Sequence, residues 1–164
     1  MILKSRIFVT LHRFRQNLTQ NCMLTTAKSV NEVMFEIIEL RKELATLSYN
    51  NPRSDEVEDQ LHELEEQFVS DFGVVVNDAL ADFYDEYCPD SDVLSPLAYI
   101  AKNYTVTGEN QYGKTFDVNK KDALAIELDD FPGQDNRLTI IPNPLRLVAF
   151  FGDGTTKEVW RLKK

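Results

Sequence analysis

The residues best equipped for chemistry are carboxylates, and they fall into three groups. Glu127, Asp129, Asp130 and Asp135 share the stretch ELDDFPGQD, where clustered oxygen donors could hold a divalent cation or exchange a proton with a substrate. The same spacing suits a turn in which aspartates bond their own backbone. Asp85, Glu86, Asp90 and Asp92 flank the break at Pro89; they lack the sixth-position glycine and closing glutamate of an EF-hand loop and read as solvated acids. Asp55, Glu56, Glu58 and Asp59 gather at one helix start, where capping and the positive end of the helix dipole account for them.

Other reactive groups are sparse. His12 and His62 are the two histidines, and His62, among Glu58, Asp59, Glu63, Glu65 and Glu66, reads as a solvated helix-surface residue without a histidine partner. Cys22 and Cys88 are too few for a disulfide framework and lack the paired spacing of a structural zinc site, so they read as free thiols in a reducing compartment. Glycine-rich phosphate loops, the dinucleotide fingerprint, the nucleophile elbow, H-E-x-x-H and C-x-x-C are all absent from the sequence. Tyr99, Tyr104, Tyr112 and Phe116, near Lys102, Lys114, Lys120 and Lys121, offer a stacking surface for single-stranded nucleic acid or, alternatively, interior packing.

What must position these residues is a chain of 164, long enough for one domain, or one small domain with an added helical element. Hydrophobic residues at 43% and charged residues at 27% exclude a disordered or low-complexity chain. No apolar run reaches the roughly 18 residues of a membrane-spanning helix. The net charge of −9 is unevenly spread: residues 29–92 hold eighteen acids against three bases, whereas residues 1–28 hold five bases and no acid. A duplex would repel the acidic segment, so duplex nucleic acid is an unlikely partner and only the flanks suit polyanions.

Residues 1–28 form a leader with three open readings. Leu3, Ile7, Leu11, Phe14 and Leu18 share one helical face flanked by Lys4, Arg6, Arg13 and Arg15, a basic amphipathic pattern. It fits an organelle transit or membrane-surface segment, an artefact of a start upstream of Met23, or an integral first helix. Without import, a cytoplasmic location is expected.

From Ser29 the periodicity is clear. Ser29-Val30-Asn31-Glu32 is a capping box, and Val30, Val33, Ile37, Leu40, Leu44 and Leu47 follow at heptad spacing. Asn50-Asn51-Pro52 breaks this helix. A second helix, capped by Ser54 or Asp55, carries Val57, Leu61, Leu64 and Phe68, then Phe72, Val75, Ala79, Phe83 and Tyr87. The wider spacing near Gly73 predicts a change from coiled-coil geometry to a helix buried all round at Val74-Val75-Val76. The short connection makes residues 29–92 an antiparallel helical hairpin.

Residues 93–164 read as a short helix, Leu97 to Tyr104, and an antiparallel β region. Strands are predicted at Tyr104–Thr107, Lys114–Val118, Ala123–Leu128, Leu138–Ile141, Arg146–Phe151 and Thr156–Leu162. Pro142 and Pro144 mark a bend or edge. Asp153-Gly154 suits a two-residue turn that would pair Phe151 with Thr156, Ala149 with Glu158, Leu147 with Trp160 and Leu145 with Leu162. The fold class is therefore α+β: an N-terminal antiparallel helical hairpin followed by a small antiparallel sheet or barrel.

A hairpin with an acidic tip, here Asp55, Glu56, Glu58 and Asp59, ahead of a β-rich region is similar to the transcript-cleavage factors that insert a coiled coil into an RNA polymerase channel. The likeness is one of architecture, length and acidity; the hairpin is shorter and the β region longer than in that family, and no motif matches residue by residue. It implies a polymerase-channel factor as a remote alternative. The leading expectation is a soluble, non-enzymatic interaction or assembly module without a cofactor, pairing its heptad face (Val30, Val33, Ile37, Leu40, Leu44, Leu47, Val57, Leu61, Leu64, Phe68) with a protein, itself included. The enzymatic alternative is a metal-assisted hydrolase or lyase at Glu127, Asp129, Asp130 and Asp135, holding a divalent cation.

Overall fold

The Ser29 cap forms as its spacing predicts. Its Oγ accepts from the Glu32 backbone N–H at 3.3 Å while the Glu32 carboxylate accepts from the Ser29 N–H at 2.7 Å, completing the capping box and opening α1, Val30–Thr46. In this computed structural model, residues 28–163 are described; the leader readings, His12 and Cys22 lie outside them. The Ser29 hydrogen bonds hold the Glu32 carboxyl below its ordinary value of 4.5. Ser29→Ala is expected to lower unfolding free energy by about 1 kcal/mol at neutral pH, read by urea denaturation. A depressed folded-state pKa contributes stability above the unfolded value and loses it as pH falls through the folded one, so the gap between wild type and variant should narrow in acid but not close, because the bond from the Glu32 N–H to Ser29 Oγ does not titrate.

The second helix, α2, spans Pro52–Tyr87 without interruption. Its cap is Asn51, not Ser54 or Asp55: Asn51 Oδ1 accepts from the Arg53 N–H at 3.0 Å. Pro52 takes the first helical position, where its fixed φ fits and its missing N–H costs nothing. Ser54 instead donates its hydroxyl to the Ser48 carbonyl at 3.1 Å, closing the turn between the helices.

The expected change near Gly73 takes a different form. Val76 is buried, yet Val74 is 75% exposed, so the helix is not enclosed all round. After Phe68 the expected Ala79 and Phe83 are buried, but Gly73, Val76, Leu80 and Tyr84 join them while Phe72, Val75 and Tyr87 are left half-buried. The cause is a change of neighbour. The first half of α2 packs on α1, and the second half turns a rotated stripe toward Tyr99 and Phe151, with ring separations of 6.5 Å for Tyr84–Tyr99 and 5.4 Å for Tyr87–Phe151.

Past α2, the expected helix at Leu97–Tyr104 is only a 3-10 turn, Pro96–Tyr99. Tertiary bonds divert the chain there: Thr139 Oγ1 donates to the Tyr99 carbonyl at 3.0 Å, and Ile100 makes a parallel bridge to Ile140. The strands β1 (Thr105–Asn110) and β2 (Gly113–Asp117) form a two-stranded sheet. A four-stranded antiparallel meander follows, ordered β3 (Leu124–Ile126), β4 (Asn136–Ile141), β5 (Arg146–Phe150) and β6 (Thr156–Arg161). These are two open sheets and not a barrel.

Leu147 does sit opposite Trp160, and the Leu162 N–H donates to the Leu145 carbonyl at 2.8 Å. Nearer the turn the register slips by one: Phe150 faces Thr156, and Val148 faces Glu158. The connection is a longer loop than Asp153-Gly154 alone, closed by the Phe151 N–H donating to the Thr155 carbonyl at 2.9 Å. Asp153 Oδ1 accepts from both the N–H and the hydroxyl of Thr155. Val159 is the extra residue of a bulge that restores the expected pairing.

Both faces of the four-stranded sheet are covered. Ile140, Leu147 and Ala149 join Val33, Met34, Ile37, Phe68 and Leu80 in one core. Ile141, Val148 and Phe150 join Ile38, Phe116 and Val118 in another. Neighbouring strand residues point to opposite faces, so this division of Ile140 from Ile141 and Leu147 from Val148 is what two buried faces require. α1 borders both, through Val33, Met34 and Ile37 on one side and Phe35 and Ile38 on the other. At the β1–β2 turn Gly113 has φ +112°, and a Cβ there would meet the Phe35 ring at 2.8 Å, so the close approach requires glycine.

Candidate functional site

The heptad face is the first candidate, and the structure divides it. Val33, Ile37, Val57, Leu64 and Phe68 are buried within the chain, whereas Val30, Leu40, Leu44, Leu47 and Leu61 are half-buried. Leu44, Leu47 and Val57 belong to neither core cluster, so the hairpin seam extends past the sheet-supported interior. Across that seam Arg41 donates from Nε and Nη2 to Glu65 Oε1, at 3.1 and 2.6 Å. Arg53 pairs with Glu43 near the turn. Tyr49, in the turn itself, is 98% exposed.

A groove of about 410 Å³ runs between the helices on their outer side, lined by Lys28 and by residues of α1 and α2 alone. Leu40 and Leu64 supply its apolar surface, and Glu36, Glu39 and Glu63 its acidic rim. Lys28 already answers part of that charge, with Nζ 2.5 Å from Glu36 Oε2.

The acidic loop is arranged as a turn. Asp135 accepts from Arg137 Nε at 2.6 Å and lies 3.6 Å from Lys120 Nζ; these cations hold its carboxyl below the usual carboxylate range. The Asp129 N–H donates to the Tyr87 carbonyl, fastening the loop to the end of α2. Among the described residues no three histidine, cysteine, aspartate or glutamate side chains are grouped to hold a metal ion. Glu127, Asp129, Asp130 and Asp135 are therefore not brought together, nor are Asp85, Glu86, Asp90 and Asp92, or Asp55, Glu56, Glu58 and Asp59.

The remaining candidates have structural roles. His62 pairs with Glu66 on the exposed side of α2 at 3.1 Å. Cys88 is a buried free thiol whose pKa is pushed up by burial and by nearby Asp129, which keeps the nucleophilic thiolate scarce. Tyr99 and Phe116 are core residues; Tyr99 donates to the Tyr84 hydroxyl at 2.9 Å, and Tyr104 donates to the Ile140 carbonyl at 2.7 Å. Of the four aromatics weighed as a stacking surface, only Tyr112 stands well out of the fold.

A polar junction escaped the sequence reading. Asn143, buried at φ +56°, donates its side-chain amide to the carbonyls of Gly113 and Lys114 at 3.0 and 2.8 Å and exchanges bonds with the Asn110 side chain. Its backbone N–H donates to Asn31 Oδ1 at 3.0 Å, reaching α1. This junction borders a cleft of about 690 Å³ that also touches Val30, Leu145, Leu162 and Arg161. Asn110 and Asn143 satisfy one another there and so fasten the elements together. The available signal was the Asn143-Pro144 step after Pro142, which marks an unusual connection but not its partners.

No protein-family model, curated protein or solved structure matches this chain. Among the described residues, no helix is long and apolar enough to cross a membrane.

Proposed function

We propose that this chain is a non-enzymatic protein-interaction or assembly module working through the heptad face of its helical hairpin. The observation that carries the reading is the half-buried row Leu40, Leu44, Leu47 and Leu61, in which Leu40 and Leu61 pack on the edge of one core and Leu44 and Leu47 lie beyond both. These leucines are at most about a third exposed, so finishing the burial of each contributes roughly 0.5 to 1 kcal/mol, and the four together about 2 to 3 kcal/mol toward association. The expected site thereby narrows: Val33, Ile37, Val57, Leu64 and Phe68 hold the hairpin closed, and the half-buried leucines with the turn residue Tyr49 remain for a partner.

The test is self-association of the full chain by sedimentation velocity over a wide concentration range. Wild type should form a concentration-dependent higher species that Leu44→Asp abolishes. Leu44 lies outside both cores, so the variant should keep the wild-type circular dichroism spectrum. Monomeric wild type at every concentration, or unchanged assembly in the variant, would refute an assembly role for this face.

A further inference from the structure

From the outer hairpin groove we infer a docking site for a basic amphipathic helix of a partner protein, an assignment that rests on the interaction reading above. The groove is built as a helix receptor. Glu36, Glu39 and Leu40 on α1 face Gln60, Glu63, Leu64 and Gln67 on α2, and these i, i+3, i+4 spacings line a slot of one to two turns between the helices. An apolar strip with acidic edges complements a helix whose leucine-like face is bordered by lysine or arginine.

Charge selects this class of partner over the alternatives. The hairpin region carries eighteen acids against three bases, so a second copy seated in this groove, as distinct from the Leu44 and Leu47 end of the seam that the groove does not include, would bring its own acidic edges against the rim. The Lys28 ammonium on Glu36 shows the rim already accepting a cation. Glu39 has Lys114 at 3.6 Å, with both side chains more than half exposed, a screened pairing that an incoming arginine can replace. Glu63 has no ion-pair partner among the described residues.

The probe is a synthetic leucine–arginine amphipathic peptide of about five helical turns, titrated into the full chain by fluorescence anisotropy, with a leucine–glutamate peptide of the same pattern as control. Saturable binding of the basic peptide is expected, at least ten-fold weaker for Glu36→Gln/Glu39→Gln/Glu63→Gln and weakened by salt. The matched variant Glu56→Gln/Glu58→Gln/Asp59→Asn loses the same charge from exposed positions outside the groove and should bind like wild type. Equal losses in the two triple variants would mean unspecific charge attraction and overturn the assignment, as would binding of the acidic peptide. A full chain with Lys4, Arg6, Arg13 and Arg15 changed to glutamine that binds ten-fold tighter than wild type would give the groove to the chain's own first residues, also overturning it. Failure here while Leu44→Asp still abolishes self-association would remove the basic helix and leave the broader interaction reading standing.

Discussion

Phe68→Ala should lower the unfolding free energy by about 3 to 5 kcal/mol, measured by urea denaturation, with little change in the denaturant slope. Phe68 is fully buried and stands where the hairpin seam meets the sheet. It shares a cluster with Val33, Met34 and Ile37 of α1, Leu64 of α2, and Leu147 of β5, and its ring centre lies 6.0 Å from that of Phe72. Alanine would remove ring packing from both interfaces at once and leave a void among side chains held by two helices and a sheet. Against a typical total of 5 to 15 kcal/mol, a loss of this size approaches the whole stability of a small domain. Phe68→Leu, which keeps much of the volume, should cost far less. A loss below about 1 kcal/mol for the alanine variant would mean that the hairpin does not rest on the sheet through this residue.

The second large effect is expected at Asn143. Asn143→Ala strips the bonds to Gly113, Lys114 and Asn110; these partners are half-buried or exposed and can turn to water, so the loss of the bonds costs about 1 to 2 kcal/mol. The backbone contributes separately. At φ +56° an alanine Cβ is disfavoured where asparagine is tolerated, while glycine adopts the angle freely. Asn143→Gly should therefore be about 1 kcal/mol more stable than Asn143→Ala, though still well below wild type. Equal stability of the two variants would mean that the side-chain bonds alone set the effect.

Local signals were readable in the sequence. The Ser29–Glu32 box, the two helices, the Pro142–Pro144 bend and the Leu147–Trp160 pair depend on residues a few positions apart or on one strand period, and all are present. Features set by distant neighbours were not. The buried row of α2 shifts because the sheet replaces α1 as its neighbour. The segment after Tyr99 leaves the helix because Thr139 and Ile140, about forty residues later, claim its backbone. The slip near Phe150 comes from a bulge at Val159, and an alternating pattern does not record one unpaired residue.

The site was legible to a similar degree. Heptad spacing identifies the hairpin face but not which half of it the sheet will fill, since that depends on where a chain segment some seventy residues downstream lands. Acid-rich composition suggests metal binding equally well at ELDDFPGQD, at the Pro89 break and at the hairpin tip; only three-dimensional grouping discriminates, and none of the three sets is assembled. Asn143 is invisible locally because its partners lie 29 to 112 positions away.

The continuity of α2 carries a mechanical consequence. Its 36 residues, at 1.5 Å each, make a beam about 54 Å long, clamped by α1 at one end and by the Tyr99 and Phe151 rings at the other. With its one proline at the first helical position, such a beam has no proline kink along its length to absorb a load on the tip, so whatever grips the far end also pulls on the part of the helix seated against the β-sheet.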